Sequence, residues 1–174
     1  LGEHDNYVAA FGGAMTIPDM QRYSLVYSEN TPAYALADRF GGMDNVYEKY
    51  KKYGKSRAEI KTISPENKTT SDYYIQVLDY LWNHKEKYAT LLELIGESFP
   101  NEYYKRYLPD LVNQQKPGYV AEALNVEAIV YEQTPYLISI FTAGLGGTTP
   151  ESTEISGYGL HLLGQLCYVI NEWH

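Results

Sequence analysis

The sequence is poor in the groups that most often announce a function. One cysteine, Cys167, in 174 residues excludes an internal disulfide and any zinc site built on several thiolates. The four histidines, His4, His84, His161 and His174, are scattered without metal-ligand spacing, so no metal and no other cofactor is expected. No apolar run approaches the roughly 18 residues of a membrane span, and no signal-peptide pattern is present. Cationic side chains are few: 14 Lys and Arg against 22 Asp and Glu leave a net charge of -8. A nucleic-acid partner is therefore not expected, because phosphate binding needs a basic face. Internal repeats and low-complexity tracts are absent as well.

What is present describes a globular chain. Hydrophobic residues make up 44% and charged residues 21%, enough for one domain with a sizeable core. Cys167 lies in an apolar helical pattern and reads as a buried, inert thiol. Tyrosine is frequent, at 19 residues; its apolar ring and polar tip suit half-buried positions, and the excess points to no particular chemistry.

The first 110 residues read as helices. Residues 1–16 are loop-like, with Gly12-Gly13 as a turn. A helix begins at Pro18 and stops near Ser28; a second runs from about Thr31 to Phe40, ended by Gly41-Gly42. A third spans Met43 to Tyr53. Residues 55–69 lack periodicity and form a surface loop. Thr70-Ser71-Asp72 supplies N-cap candidates for a helix carrying Ile75, Leu78, Leu81 and Trp82. Another helix covers Lys87 to Ile95, and a Tyr-rich helical segment ends near Pro109. Tyr103, Tyr104 and Tyr107 in that segment read as packing residues.

The pattern then changes. Residues 111–121, 124–133 and 135–143 are rich in β-branched and aromatic residues and read as three consecutive antiparallel strands. A long amphipathic helix follows from Glu151 to Trp173, with Ile155, Leu162, Leu163, Leu166, Ile170 and Trp173 as its apolar stripe. The fold class is α+β: a helical lobe over about 14–110, then antiparallel strands and a covering helix over about 111–174, in one domain spanning 1–174. The third strand is almost wholly apolar, which predicts a central strand buried on both faces. Because residues 1–110 offer no further strand to pair with it, the domain is expected to be incomplete. Leu1, in place of Met, agrees with the expectation of an upstream segment. An N-terminal fragment or a second chain would then complete the sheet.

Two polar clusters raise the question of chemistry. Ser28-Glu29-Asn30 interrupts two apolar helices; it is either a plain capping corner or a set of side chains held out for a reaction. Lys116-Pro117-Gly118 lies on the first strand. There a lysine supplies a positive charge for a carboxylate or for proton transfer. A glycine two positions on lets a substrate lie against the backbone. Tyr119 can then offer its backbone N–H to a developing oxyanion.

These segments resemble the penicillin-recognising serine hydrolases, the class A β-lactamase and DD-peptidase superfamily. YSENTPAYALADRFGG resembles the Ser-Asp-Asn signature and the helix after it, and QQKPGY the Lys-Thr-Gly or Lys-Ser-Gly strand. VEAIVYEQTPYLISIFTAGL resembles the final hairpin, and 151–173 the closing helix. The resemblance covers about Gly13 to Trp173. It implies that Ser28 relays a proton to the leaving nitrogen and that Asn30 bonds the substrate amide. It further implies that Lys116 draws the substrate carboxylate, and that Gly118 and Tyr119 border the substrate, with the Tyr119 N–H as half of an oxyanion hole. The reaction implied is acyl transfer through a serine ester on a small-molecule or peptidoglycan-like substrate, in an extracellular or cell-envelope location in bacteria.

Three features depart from the pattern. No serine is followed three residues later by lysine, so the nucleophile signature Ser-x-x-Lys is absent and the acylated serine is expected upstream of this chain. Glu29 stands in place of Asp. Pro117 replaces the Thr or Ser whose hydroxyl would bond the substrate carboxylate, and it also lacks an N–H. A class A Glu-x-x-Leu-Asn segment is not evident either. A non-catalytic binding or sensor domain on the same scaffold is the alternative reading.

Overall fold

The computed structural model describes residues 14–55, 69–120, 122–146 and 155–174. The predicted loop at 55–69 and the start of the predicted helix at 151–173 fall largely outside these residues.

Helix α1 (Ile17–Leu25) opens with a capping box. The Asp19 N–H donates to Thr16 Oγ1 at 3.3 Å, and the Thr16 N–H donates back to the Asp19 carboxylate at 3.0 Å. Each side chain thus satisfies a backbone donor that the first helical turn leaves without a partner. Helix α2 (Asn30–Arg39) follows, with Pro32 buried in its first turn, where no N–H is required. Gly41 and Gly42, at φ of 90° and 94°, turn the chain into α3 (Met43–Tyr50). Helix α4 (Ser71–Asn83) is capped by Thr70, whose side chain accepts the Tyr73 N–H at 3.4 Å. Helix α5 (Ala89–Gly96) and the single turn α6 (Tyr104–Tyr107) complete the helical lobe.

Strands β1 (Asn113–Val120), β2 (Ala123–Val130) and β3 (Tyr136–Ile140) form an antiparallel sheet in the order β1-β2-β3. Alternation along β2 divides its side chains between two cores. Leu124, Val126, Ala128 and Val130 pack with Tyr103, Tyr104 and two residues of the last helix, Leu163 and Cys167. Ile129, on the opposite face, packs with Leu78 of α4 and Leu92 of α5. Helices α4 and α5 therefore cover one face, and helix α7 (Gly157–Trp173), together with Tyr103 and Tyr104, covers the other. Tyr103 and Tyr104 are core residues, as their pattern suggested. Burial raises the Cys167 thiol to about 12, so it is not a nucleophile near neutrality.

The third strand is expected to be central, with its further neighbours not supplied by this chain. Among the described residues β3 pairs with β2 alone, and all five of its residues are half-buried. Its second edge has no partner there, in keeping with the expectation of an incomplete sheet. One expectation fails in detail: the apolar stripe of α7 is shifted. Its buried positions are Gly159, Leu163, Gly164 and Cys167, while Leu166 and Trp173 are exposed. The reason is close approach. A Cβ at Gly159 would overlap the Leu145 carbonyl, and one at Gly164 would press on the Tyr107 ring. Small residues, not the bulkiest ones, let this helix reach the sheet.

Gly159→Ala should consequently force α7 away from the 145 turn and cost about 1–3 kcal/mol of stability, read as a lower denaturation midpoint. Leu166→Ala, on the exposed face, should change it by under about 0.5 kcal/mol.

Candidate active site

The corner between α1 and α2 is where the helical lobe meets the sheet. Ser28 sits there with φ of 60°, a left-handed conformation uncommon for a residue with a Cβ. The Glu29 N–H donates to the Tyr23 carbonyl at 3.1 Å and closes the turn. Glu29, not Ser28, occupies the N-cap position of α2, and its side chain makes no capping bond.

The Ser28 hydroxyl is instead engaged across the domain. Lys116 Nζ on β1 donates to Ser28 Oγ at 2.6 Å, joining residues 88 positions apart, and to its neighbour Pro117 O at 3.2 Å. The Phe99 ring lies 5.5 Å from the same ammonium. Burial lowers the Lys116 amine to about 8, within reach of proton exchange near neutrality.

The other sequence-selected residues lie around this pair. Asn30 is the first residue of α2 and is exposed. Gly118 is exposed on β1, and a Cβ there would meet nothing within 4 Å, so the strand surface beyond Lys116 is open. Tyr119 pairs with Leu124. Leu124 turns its own N–H and C=O toward Thr142 Oγ1, at 3.2 and 2.6 Å. Its polar groups thus point toward the β3 side, so the Tyr119–Leu124 pair is the kind that exchanges no backbone bonds. The Tyr119 N–H accordingly faces the outer edge of β1. Pro117 shares that parity, so the N–H that proline lacks would also have faced outward. This explains how proline is accepted inside the strand, on the edge of the sheet.

Two residues of the site were not singled out from the sequence. Gln115 is fully buried. Its amide oxygen accepts the Tyr104 N–H at 3.1 Å, and its amide nitrogen donates to the Phe99 and Glu102 carbonyls at 3.0 and 3.1 Å. Three backbone groups of one loop are thereby tied to β1, which holds the Phe99 ring beside the lysine. Glu127 is the direct cross-strand partner of Lys116 on β2. Burial raises its carboxyl to about 8, and Lys116 opposes that rise. Tyr74 of α4 and Tyr103 also feel this carboxyl, and burial pushes both phenols up. Next in the row, Ser139 on β3 pairs with Glu127, and among the described residues its buried hydroxyl has no hydrogen-bond partner. A hairpin count from Lys116 would have led to Glu127; nothing in the local sequence marks Gln115.

Among the described residues no three His, Cys, Asp or Glu side chains converge, and no helix is long and apolar enough to cross a membrane.

The opposed shifts have a stability signature. From the ordinary Glu range up to about 8, the native state holds a proton on Glu127 that the unfolded chain has lost, so stability falls as pH rises. From about 8 to the ordinary Lys range, the unfolded chain holds a proton that native Lys116 has lost, so stability rises again. The pair's contribution should pass through a minimum near pH 8. The difference in unfolding free energy between the protein and Glu127→Gln/Lys116→Met, followed by urea titration across pH, should trace that dip.

Comparison with known proteins bears on the family and the fold. A model of the β-lactamase enzyme family matches residues 8–163. A solved variant of the last common ancestor of Gram-negative bacteria class A β-lactamase superposes with a TM-score of 0.72 at 18% identity, covering 98% of this chain and 68% of that one. A mutant of the chromosome-encoded β-lactamase of Vibrio parahaemolyticus gives 0.76 at 17% identity, covering 97% and 70%. No curated protein matches the sequence significantly. With the family match running over most of its length, the chain belongs to the β-lactamase enzyme family.

Proposed function

We propose that the chain is the proton-relay and substrate-binding portion of a β-lactamase-like serine hydrolase, whose acylated serine lies outside these 174 residues. The observation that carries this reading is the 2.6 Å hydrogen bond from Lys116 to Ser28. A hydroxyl held on an amine of lowered pKa can pass a proton to a leaving nitrogen and recover it from the lysine. Gly118 leaves room for a substrate along β1, the outward Tyr119 N–H is oriented to meet a carbonyl oxygen, and Asn30 stands at the rim to bond an amide. The nucleophile would come from another segment of polypeptide, because no Ser-x-x-Lys occurs in the chain. The open edge of β3 is where an additional strand would pair. Peptide, ester or lactam substrates of the peptidoglycan kind fit this chemistry, and an exported bacterial location goes with them.

A non-catalytic binding or sensor domain is the second reading. Pro117 favours it, because proline offers neither the hydroxyl nor the N–H that would hold a substrate carboxylate.

Intact mass of the full-length protein after exposure to a penicillin and to a 4-nitrophenyl ester separates the two. The hydrolase reading expects one acyl adduct on a serine, with acylation slowed about 100-fold or more by Ser28→Ala and by Lys116→Met. Full-length protein that gains no adduct from either reagent would favour the binding domain.

A further inference from the structure

The tyrosine excess has a focus that the acyl-transfer site does not use. A pocket of about 250 Å³ opens in the helical lobe between the end of α3, α4 and the start of α5. Six of its lining residues are Tyr50, Tyr53, Tyr73, Tyr74, Tyr80 and Tyr88. None is a residue of the Ser28–Lys116 hydrogen bond, though Tyr74 also feels the Glu127 carboxylate.

The rings are arranged to receive another ring. Tyr53 meets Tyr80 edge-on at 5.0 Å and 75°, and Tyr73 meets Tyr74 at 5.6 Å and 82°. Such pairs leave both π-faces and ring edges available for offset or T-shaped contact. A cavity of about 150 Å³ already holds one benzene-sized ring, so this one has room for a bicyclic body. The inner phenol of Tyr73 is spent on the Tyr50 carbonyl, at 3.1 Å, which leaves the interior apolar.

The polar end lies at Tyr80 and Tyr88, and it is cationic. Lys52 Nζ sits 4.6 Å from the Tyr53 ring centre, and Lys87 Nζ 5.2 Å from that of Tyr88. Both ammonium groups act electrostatically on Tyr80. Among the described residues neither is paired with a carboxylate, whereas the neighbouring Lys51 is bonded to Glu48 at 2.8 Å. Two cations thus each lie beside a lining ring of one aromatic pocket in a protein whose net charge is -8. A cationic ligand would meet repulsion from them, and a neutral one would gain nothing from either charge.

We propose that this pocket is a binding site for a small aromatic carboxylate, its ring system among the tyrosines and its carboxylate at Lys52 and Lys87. The site would operate whether or not the chain acts as a hydrolase.

Calorimetric titration of the full-length protein with 1-naphthoate tests the assignment, with 1-naphthalenemethanol as the uncharged control. The acid should bind with a Kd of about 100 μM or lower and at least tenfold more tightly than the alcohol, a gap of about 1.4 kcal/mol. Lys52→Met/Lys87→Met changes only exposed side chains and should remove that preference. Leu91→Trp, which fills the pocket from its wall, should abolish binding of both. No binding of the acid at 1 mM would overturn the proposal. So would equal affinity for acid and alcohol, or an acid affinity untouched by the double lysine variant. If the tryptophan variant fails to fold, the lysine variant and the alcohol control still decide the matter.

Discussion

A largely buried ammonium needs hydrogen-bond acceptors, and Lys116 finds them in Ser28 Oγ and the Pro117 carbonyl. The organisation of the site depends on that need. The lysine is carried by the sheet, while the serine is carried by the corner of the helical lobe. Their bond joins the two halves of the domain at one point. The left-handed backbone at Ser28 is understandable in this light: a conformation that costs free energy persists where its surroundings hold it, and the lysine is one of the groups that hold it.

The same economy of polar burial runs along β1. Gln115 turns its amide inward and satisfies three backbone groups of the 99–104 loop, which sets Phe99 beneath the ammonium. Lys116, one residue on, points to the opposite face and shares it with Glu127. Burial pushes the amine down and the carboxyl up, so each is brought toward a range where it can exchange a proton.

Much of the architecture was legible because it rests on local signals. Thr70 caps a helix, Gly41-Gly42 turns the chain, and the β-branched runs after residue 111 become strands in the expected antiparallel order. Ser28, Lys116 and Gly118 could be selected because their segments, in that order, resemble the Ser-Asp-Asn and Lys-Thr-Gly signatures. What stayed hidden depends on partners distant in sequence. The buried face of α7 is set by the Leu145 carbonyl and the Tyr107 ring, which favour Gly159 and Gly164 over bulky residues. Glu127 emerges only when the hairpin register is known, and Gln115 only when the loop it anchors has been folded against it. The apolarity of β3 was legible as that of a strand with more neighbours than this chain supplies, and among the described residues only β2 pairs with it.

The most direct test of the account is the titration of the Lys116 amine itself, followed by heteronuclear NMR of the lysine side chains with Lys116→Met as the assignment control. The account predicts a midpoint near 8, and a perturbed titration in Ser28→Ala, where the acceptor is lost. A midpoint in the ordinary lysine range, unmoved by Ser28→Ala, would mean that the amine is neither buried nor bonded to the corner, and the site as described would not exist.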